Sequence, residues 1–290
     1  MEYKVRHRTA YRYLQDVSYS CHLAHLTPRE TKRQRVLHSN LGVTPRPVRH
    51  LRKPDYFGNQ VEWFALDQSH TYLEVICESR VSVSSFPMPD PLRSENWEAV
   101  RELLEWPFDG EARDAVQYSF DSPLTAFTID VAAYARKSFA PKRPLLDSAI
   151  DLMKRIYSDF RYDTTVTDAS TTIDDIFGMR AGVCQDLAHV GIACMRSMGL
   201  PARYVSGYLL TQPPPGQQRL VGADASHAWF SVWAPSLGWI DLDPTNNLLP
   251  SEKHVTVAWG RDFSDVSPLG GVITGGGEHV MEVGVDVAPT

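Results

Sequence analysis

Polar and apolar residues alternate from the start of the chain. Tyr3, Val5, His7, Thr9, Tyr11 and Tyr13 fill the odd positions, and Lys4, Arg6, Arg8, Ala10 and Arg12 the even ones. Successive side chains of a strand point to opposite faces, so this period of two predicts a strand with one apolar face. Phe57-Gly58-Asn59 supplies turn chemistry beside strand-like runs at Val61 to Ala65 and Tyr72 to Val83. An antiparallel sheet or small sandwich over residues 1–86 is the expectation, ended by the Ser- and Pro-rich stretch SSFPMPDP.

Helical periodicity takes over from there. Ser94 suits the cap of a helix carrying Trp97, Val100, Leu103 and Leu104 and stopped by Pro107, so 87–125 reads as a linker with a helix. A second helix is predicted from Ala126 to about Phe139, a third after Pro144 with Leu146, Ile150, Met153 and Tyr157 on one stripe, and a turn or two from Thr172 to Phe177. GVCQDLAHVGIACMRSMGLP predicts a helix opening at or just before Cys184. Leu187, Gly191, Cys194 and Met198 share one face of it, and Gly199 with Pro201 closes it. ARYVSGYLL reads as a strand and TQPPPGQQRLVGADA as a proline-rich loop. SHAWFSVWAP and GWIDLDPTN read as two strands turning around Pro235 to Gly238, which completes a core over 126–250. Residues 251–290 return to β as an extension packing on the rest. HVTVAW and HVMEVGVDV alternate, and GRDFSDVSPLGGVITGGG is expected as a long flexible connection.

Composition narrows the class. A chain of 290 residues, 43% hydrophobic and 22% charged, can bury a large core and is neither disordered nor collagen-like. No apolar run approaches a membrane span, and MEYKVRHRTAYRY lacks the apolar centre of a signal peptide. Four cysteines without a CxxC pair fit neither a disulfide scaffold nor a zinc site, so reduced thiols in a cytoplasmic protein are the expectation. The net charge of −6 argues against a general nucleic-acid binder. It is unevenly spread: residues 1–60 hold 12 Lys and Arg against four acids, a balance of +8 that leaves −14 for the remainder. A solvated strand face, or docking on the protein's own acidic body, accounts for that asymmetry more simply than a nucleic-acid partner.

Candidate chemistry centres on Cys184. A thiol at a helix start meets unpaired backbone N–H groups and the positive end of the dipole, which favour the nucleophilic thiolate and can also receive an oxyanion. Cys194, on the apolar face of the same helix, reads instead as a packed hydrophobe. If the two strands after the loop form a hairpin, partners have position numbers summing to about 470–472. His227 and Asp243 then lie on one face, with Cβ atoms about 4.5–5.5 Å apart if directly opposed. An acid beside an imidazole fixes its tautomer and steadies its charged form. Asp241 shares the face and competes. Asp243 is preferred because Asp-Pro-Thr ends the strand, where the carboxylate can reach back. His189, five positions after Cys184, lies too far around the helix to take the thiol proton and suits a structural hydrogen bond. Trp229, Trp233 and Trp239 fit core packing better than the walls of a channel. Cys21 and Cys77 both fall in the β region, where sequence cannot decide their proximity.

GVCQDLAHVGIACMRSMGLPARYVSGYL followed by DASHAWFSVWAPSLGWIDLDPTN closely resembles the core of bacterial transglutaminase-like proteins, often described as candidate cysteine proteases. HRTAYRY, LTPRE and DYFGNQV resemble that family's amino-terminal β domain, and GRDFSDVSPLGGV its region after the core; support is least between about residues 87 and 125. The resemblance implies an α+β fold: a papain-like core of helices and antiparallel sheet, preceded by an antiparallel β domain. It implies the family's Cys, His and Asp at Cys184, His227 and Asp243, with no cofactor or metal. The expected activity is acyl transfer or hydrolysis at a carboxamide or peptide bond through a Cys184 thioester. A protein or peptide would supply the carboxamide, and water or an amine would accept the acyl group. The alternative is a peptide-binding scaffold that keeps the fold without turnover.

Overall fold

The computed structural model describes residues 1–290 apart from 86, 108, 127, 169 and 211–225. The long proline-rich loop expected after ARYVSGYLL lies outside the described residues. The alternation that opens the chain becomes β1, Glu2–Ala24, a single strand of 23 residues. β2 (Gln34–Thr44), β3 (Arg49–Pro54), β4 (Gln60–Leu66) and β5 (His70–Val83) complete the amino-terminal part. β5 and β4 lie end to end along one side of β1, from Glu2↔Ser82 to Ala24↔Glu62, and β2 with β3 lies along them in turn.

The helical part follows the sequence pattern with adjustments. α1 is Trp97–Glu105, α2 Gly110–Val116, α3 Ile129–Arg136 and α4 Leu145–Asp159. Residues 87–125 thus hold a second helix, α2, which the pattern does not announce; Asp109 starts it by accepting the Ala112 N–H. β6 (Arg161–Tyr162) pairs in parallel with β7 (Ala181–Gly182), on either side of α5 (Ile173–Met179). α6, Cys184–Ser197, is buried on nearly every face from Asp186 to Arg196, as befits a central helix. Its one guanidinium, on Arg196, donates to Tyr118 O, Ser122 Oγ, Thr125 Oγ1, Ala202 O and Arg261 O, which satisfies a charge buried deep in the core. β8 (Ala202–Leu209), β9 (Ser226–Ala234), β10 (Gly238–Leu242) and β11 (His254–Gly260) form an antiparallel sheet in the order β10-β9-β8-β11, packed on α6.

The tail differs from expectation. GRDFSDVSPLGGVITGGG is not a loose connection: β12, Leu269–Gly275, pairs with Val17–Ala24 of β1, and β13, His279–Pro289, pairs with Tyr3–Tyr13. The two are one strand interrupted at 276–278, running antiparallel along the second side of β1. Gly275, Gly276 and Gly277 all have positive φ (95°, 86° and 61°), where a Cβ would be strained, so the glycines form the interruption rather than a tether. The breaks in β5/β4 and β13/β12 fall opposite residues 13–20 of β1, whereas the apolar surface of the sheet divides nearer its start, between Val5 and the His7↔Cys77 pair. Tyr3, Val5, Val81, Val83, Val285 and Val287 join the core around α6. Tyr13, Val17, Leu26, Phe64, Leu66, Leu73 and Val75 form a second core, which reaches back to Cys77 opposite His7.

Two side-chain amides fix β11, the edge of the small sheet, to the amino-terminal part. Gln34 donates Nε2–H to Thr256 O at 2.6 Å and accepts Thr256 N–H at 2.9 Å. Asn59 does the same for Trp259, at 2.8 and 2.9 Å. Each amide reproduces the bonds of a neighbouring strand and blunts an exposed edge. Trp259 is held further by the guanidinium groups of Arg29 and Arg203, at 3.5 and 3.7 Å from its ring. Among the described residues no helix is long and apolar enough to cross a membrane. Gln34→Ala and Asn59→Ala are each expected to lower stability by about 1–3 kcal/mol by leaving the Thr256 or Trp259 N–H, on a half-buried edge, without its partner. Each should also speed amide exchange at its own partner, Thr256 or Trp259, in hydrogen–deuterium exchange. Unchanged exchange at both positions would exclude this role for the amides.

Candidate active site

Cys184 is the first residue of α6, and its position is set by groups on both sides. Asp186, in the first turn, accepts the Val183 N–H at 2.8 Å and the Thr167 hydroxyl at 2.6 Å. Burial raises the Asp186 carboxyl, and these two bonds act against it. A Cβ on Gly182 would lie 2.6 Å from Asp186 Oδ2, so only glycine lets the chain pass this close to the carboxylate. The helix start therefore cannot slide, and the thiol stands partly exposed at its tip. Cys194, by contrast, is fully buried on the apolar face, and burial pushes its thiol well above the ordinary range.

His227 arrives from the sheet. It is the second residue of β9, and its Nε2 lies 2.7 Å from Asp243 Oδ2. That bond leaves Nδ1 as the nitrogen open to a second partner, and the ring is within hydrogen-bonding reach of the Cys184 thiol. Burial acts to lower the imidazole pKa, but the bond to Asp243, its charge and the neighbouring Cys184 outweigh it, and the value is pushed up to about 10. Burial raises the Asp243 carboxyl, yet His227, His254 and Asn246 together hold it far below the usual carboxylate range.

The expected hairpin is present with a definite register. Partners sum to 472, from Gly238↔Ala234 to Leu242↔Phe230. Extended by one residue, that register sets Asp243 opposite Trp229 and diagonal to His227, rather than directly opposed. The chain leaves the strand at this point, and Asp243 bridges to Leu248 through backbone bonds of 2.9 and 3.3 Å. Its Oδ1 accepts the N–H groups of Thr245 and Asn246 at 3.0 and 3.2 Å, and its Oδ2 the Asn246 side-chain amide at 2.8 Å. The turn thus aims the carboxylate back along β9. Asp241 lies opposite Ser231, away from His227; burial lowers the Arg203 guanidinium to about 10, and the Asp241 charge acts against that shift.

The other candidates have structural places. His189 Nε2 accepts the Phe263 N–H at 3.2 Å and its ring packs on Tyr204, with burial lowering its pKa to about 4. Trp229 and Trp233 are core residues. Cys21 and Cys77 are free thiols; Cys77 pairs across to His7, fourteen positions along β1 from Cys21. Two polar residues escaped the sequence reading. Asn246 belongs to DPTN, whose turn chemistry is a usable signal. His254 comes from a different strand, and its Nε2 reaches Asp243 Oδ2 at 3.2 Å. The ligand atoms of His227, Asp243 and His254 lie within 4.8 Å of one another, but both ring nitrogens already share the carboxylate oxygen, so a cation would have to displace those bonds.

The His227 imidazolium should persist through neutral pH and titrate near 10 rather than 6.5, measured on the ring by nuclear magnetic resonance. Because the folded-state value is raised, the stability it contributes is complete below about 6.5 and lost as pH rises through about 10. Cys184→Ser and Asp243→Asn should each lower the titration. A wild-type midpoint at the ordinary histidine value would exclude the charged arrangement.

Comparison with known proteins agrees with this architecture. Residues 3–82 match the family described as the bacterial transglutaminase-like N-terminal region, and residues 132–244 match the transglutaminase-like superfamily. An uncharacterized protein of Mycobacterium tuberculosis is 41% identical over 99% of this chain and 92% of its own length. A protein-glutamine gamma-glutamyltransferase of Pseudomonas aeruginosa is 36% identical over 85 residues, 29% of this chain and 13% of that protein. The crystal structure of a candidate cysteine protease from Cytophaga hutchinsonii superposes with a TM-score of 0.76 at 22% identity, covering all of this chain and 91% of the other. That structural likeness shows a shared fold. A helix opening on cysteine, packed against an antiparallel sheet that presents histidine and aspartate and joined to this amino-terminal β domain, makes the chain a member of the transglutaminase-like superfamily.

Proposed function

We infer that the protein is a cysteine-dependent acyl transferase or amide hydrolase acting on a carboxamide or peptide bond. The observation that carries this reading is one imidazole bonded to a buried carboxylate through Nε2 and within bonding reach of a thiol at a helix start. A charged imidazole beside a sulfur favours the thiolate, which is the nucleophile.

The thiolate of Cys184 attacks the carbonyl carbon. The developing oxyanion is received by N–H groups of the first turn, which the helix leaves without partners of its own. His227 gives its proton to the departing nitrogen as the carbon–nitrogen bond breaks, leaving a thioester on Cys184 and a neutral imidazole. That imidazole then takes a proton from water or an amine as it attacks the thioester, and the proton is held until the thiolate is released. Asp243 keeps the ring in one tautomer and orientation throughout. The sequence match to a protein-glutamine gamma-glutamyltransferase supports a glutamine side chain of a protein or peptide as the acyl donor, with an amine or water as acceptor. Four free thiols fit a reducing compartment, which supports a cytoplasmic site of action.

The test is incubation with glutamine-containing peptides, with and without a primary amine, read by mass spectrometry. Amine coupling should appear as the mass of the amine less about 17 Da, and side-chain hydrolysis as a gain of about 1 Da, since both proceed through one thioester. Cys184→Ser should abolish either product. Asp243→Asn should slow formation by about a hundredfold or more, and Asp241→Asn should leave it near wild type. Iodoacetamide at about pH 6 should label Cys184 well before the other three thiols. Equal, slow labelling of all four and no product from any peptide would favour the peptide-binding scaffold instead.

A further inference from the structure

Asp243 is fully buried and accepts from more than His227. The second imidazole on it, His254, is the first residue of β11 and is itself buried. Its Nδ1 accepts the Ser251 N–H at 3.4 Å, so the proton of the neutral ring is on Nε2, the nitrogen that points at Asp243 Oδ2 from 3.2 Å. The His254 ring lies edge-on to Trp229 at 5.3 Å and 6.0 Å from the His227 ring. Among the described residues it thus faces the titratable groups Asp243 and His227, with Cys184 beyond His227.

We propose that His254 is a positioning residue for the acyl-transfer reaction: by donating Nε2–H to Asp243 it fixes the carboxylate rotamer that holds the His227 imidazolium against Cys184. The inference rests on the function proposed above, but it concerns a residue outside the Cys–His–Asp set. Three donors on Oδ2, from His227, His254 and Asn246, and two on Oδ1 leave the carboxylate one orientation. Asn246 is exposed and sits on the same short turn as Asp243, so it can move with the carboxylate. His254 cannot, because it belongs to a strand paired with β8 and held on its far edge by Gln34 and Asn59. It ties the carboxylate to the rigid part of the molecule.

Glutamine and asparagine separate positioning from bulk. The amide nitrogen of glutamine lies as many bonds from the backbone as His Nε2, whereas that of asparagine corresponds to Nδ1 and falls short of Asp243. The full chain is compared as wild type, His254→Gln, His254→Asn and His254→Phe. The readouts are the rate of Cys184 alkylation by iodoacetamide at about pH 6, the His227 titration by nuclear magnetic resonance, and the thermal midpoint. His254→Phe and His254→Asn should alkylate about tenfold more slowly, the weight of one hydrogen bond to a charged group, and should titrate His227 at lower pH. His254→Gln should restore both, whatever its thermal midpoint. Wild-type rates in His254→Phe, or His254→Gln no better than His254→Asn with both folded, would overturn the proposal. If His254→Phe does not fold, the Gln–Asn pair decides alone. A wild-type Cys184 no more reactive than Cys21 would overturn the acyl-transfer reading instead, while the His227 titrations would still decide the role of His254.

Discussion

A carboxylate sealed from water is the constraint around which the site is arranged. An isolated buried charge costs several kcal/mol or more, so Asp243 is tenable only because every lone pair meets a donor. Those donors come from a sheet strand, a tight turn and a separate edge strand, three segments brought together only in the folded protein. One consequence is chemical: the His227 ring is charged at neutral pH although burial alone would neutralise it. Another is architectural. The groups that hold β11 in register, at Gln34 in β2 and Asn59 in the turn before β4, belong to the amino-terminal part, so the strand that carries His254 is docked on that part.

The helix carrying the thiol is fixed by a different means. Asp186 accepts from the peptide before the helix and from Thr167 on the segment ahead of α5, which stops the first turn from fraying. The nucleophile is thus anchored through its own backbone, while the imidazole is anchored through its side chain. Half of the pair is placed by local chain geometry and half by tertiary contact.

That difference explains what could be read from the sequence. Cys184 at a helix start and His227 with Asp243 on one hairpin face follow from local periodicity, and the structure brings the three together. The register did not follow in detail: the turn sets partners summing to 472, and the contact is made because Asp243 leaves the strand and bends back. His254 carries no local sign of its neighbour, since β11 meets Asp243 only through the order of strands in the sheet. The glycine-rich run ending at Gly277 looked like a tether because glycine weakens a strand in isolation. It pairs because β1 offers a long row of backbone groups that would otherwise go unbonded. Composition gave the broad class, and the amide clamps of Gln34 and Asn59 were invisible because single polar side chains have no periodicity.

The position of β12 and β13 in the chain bears on how the protein is built. The strand that borders one whole side of β1 is made only after all of the helices and the smaller sheet. During synthesis β1 must wait with that border open, a span of more than two hundred residues separating it from its mate. Contacts so remote in sequence form slowly, and a waiting strand is a template for the wrong neighbour. Arg6 and Arg8 meet Glu78 and Glu74 once β5 pairs, and Glu282 of β13 reaches Arg8 only when the tail arrives; charged side chains along an open border discourage pairing with another copy in that interval.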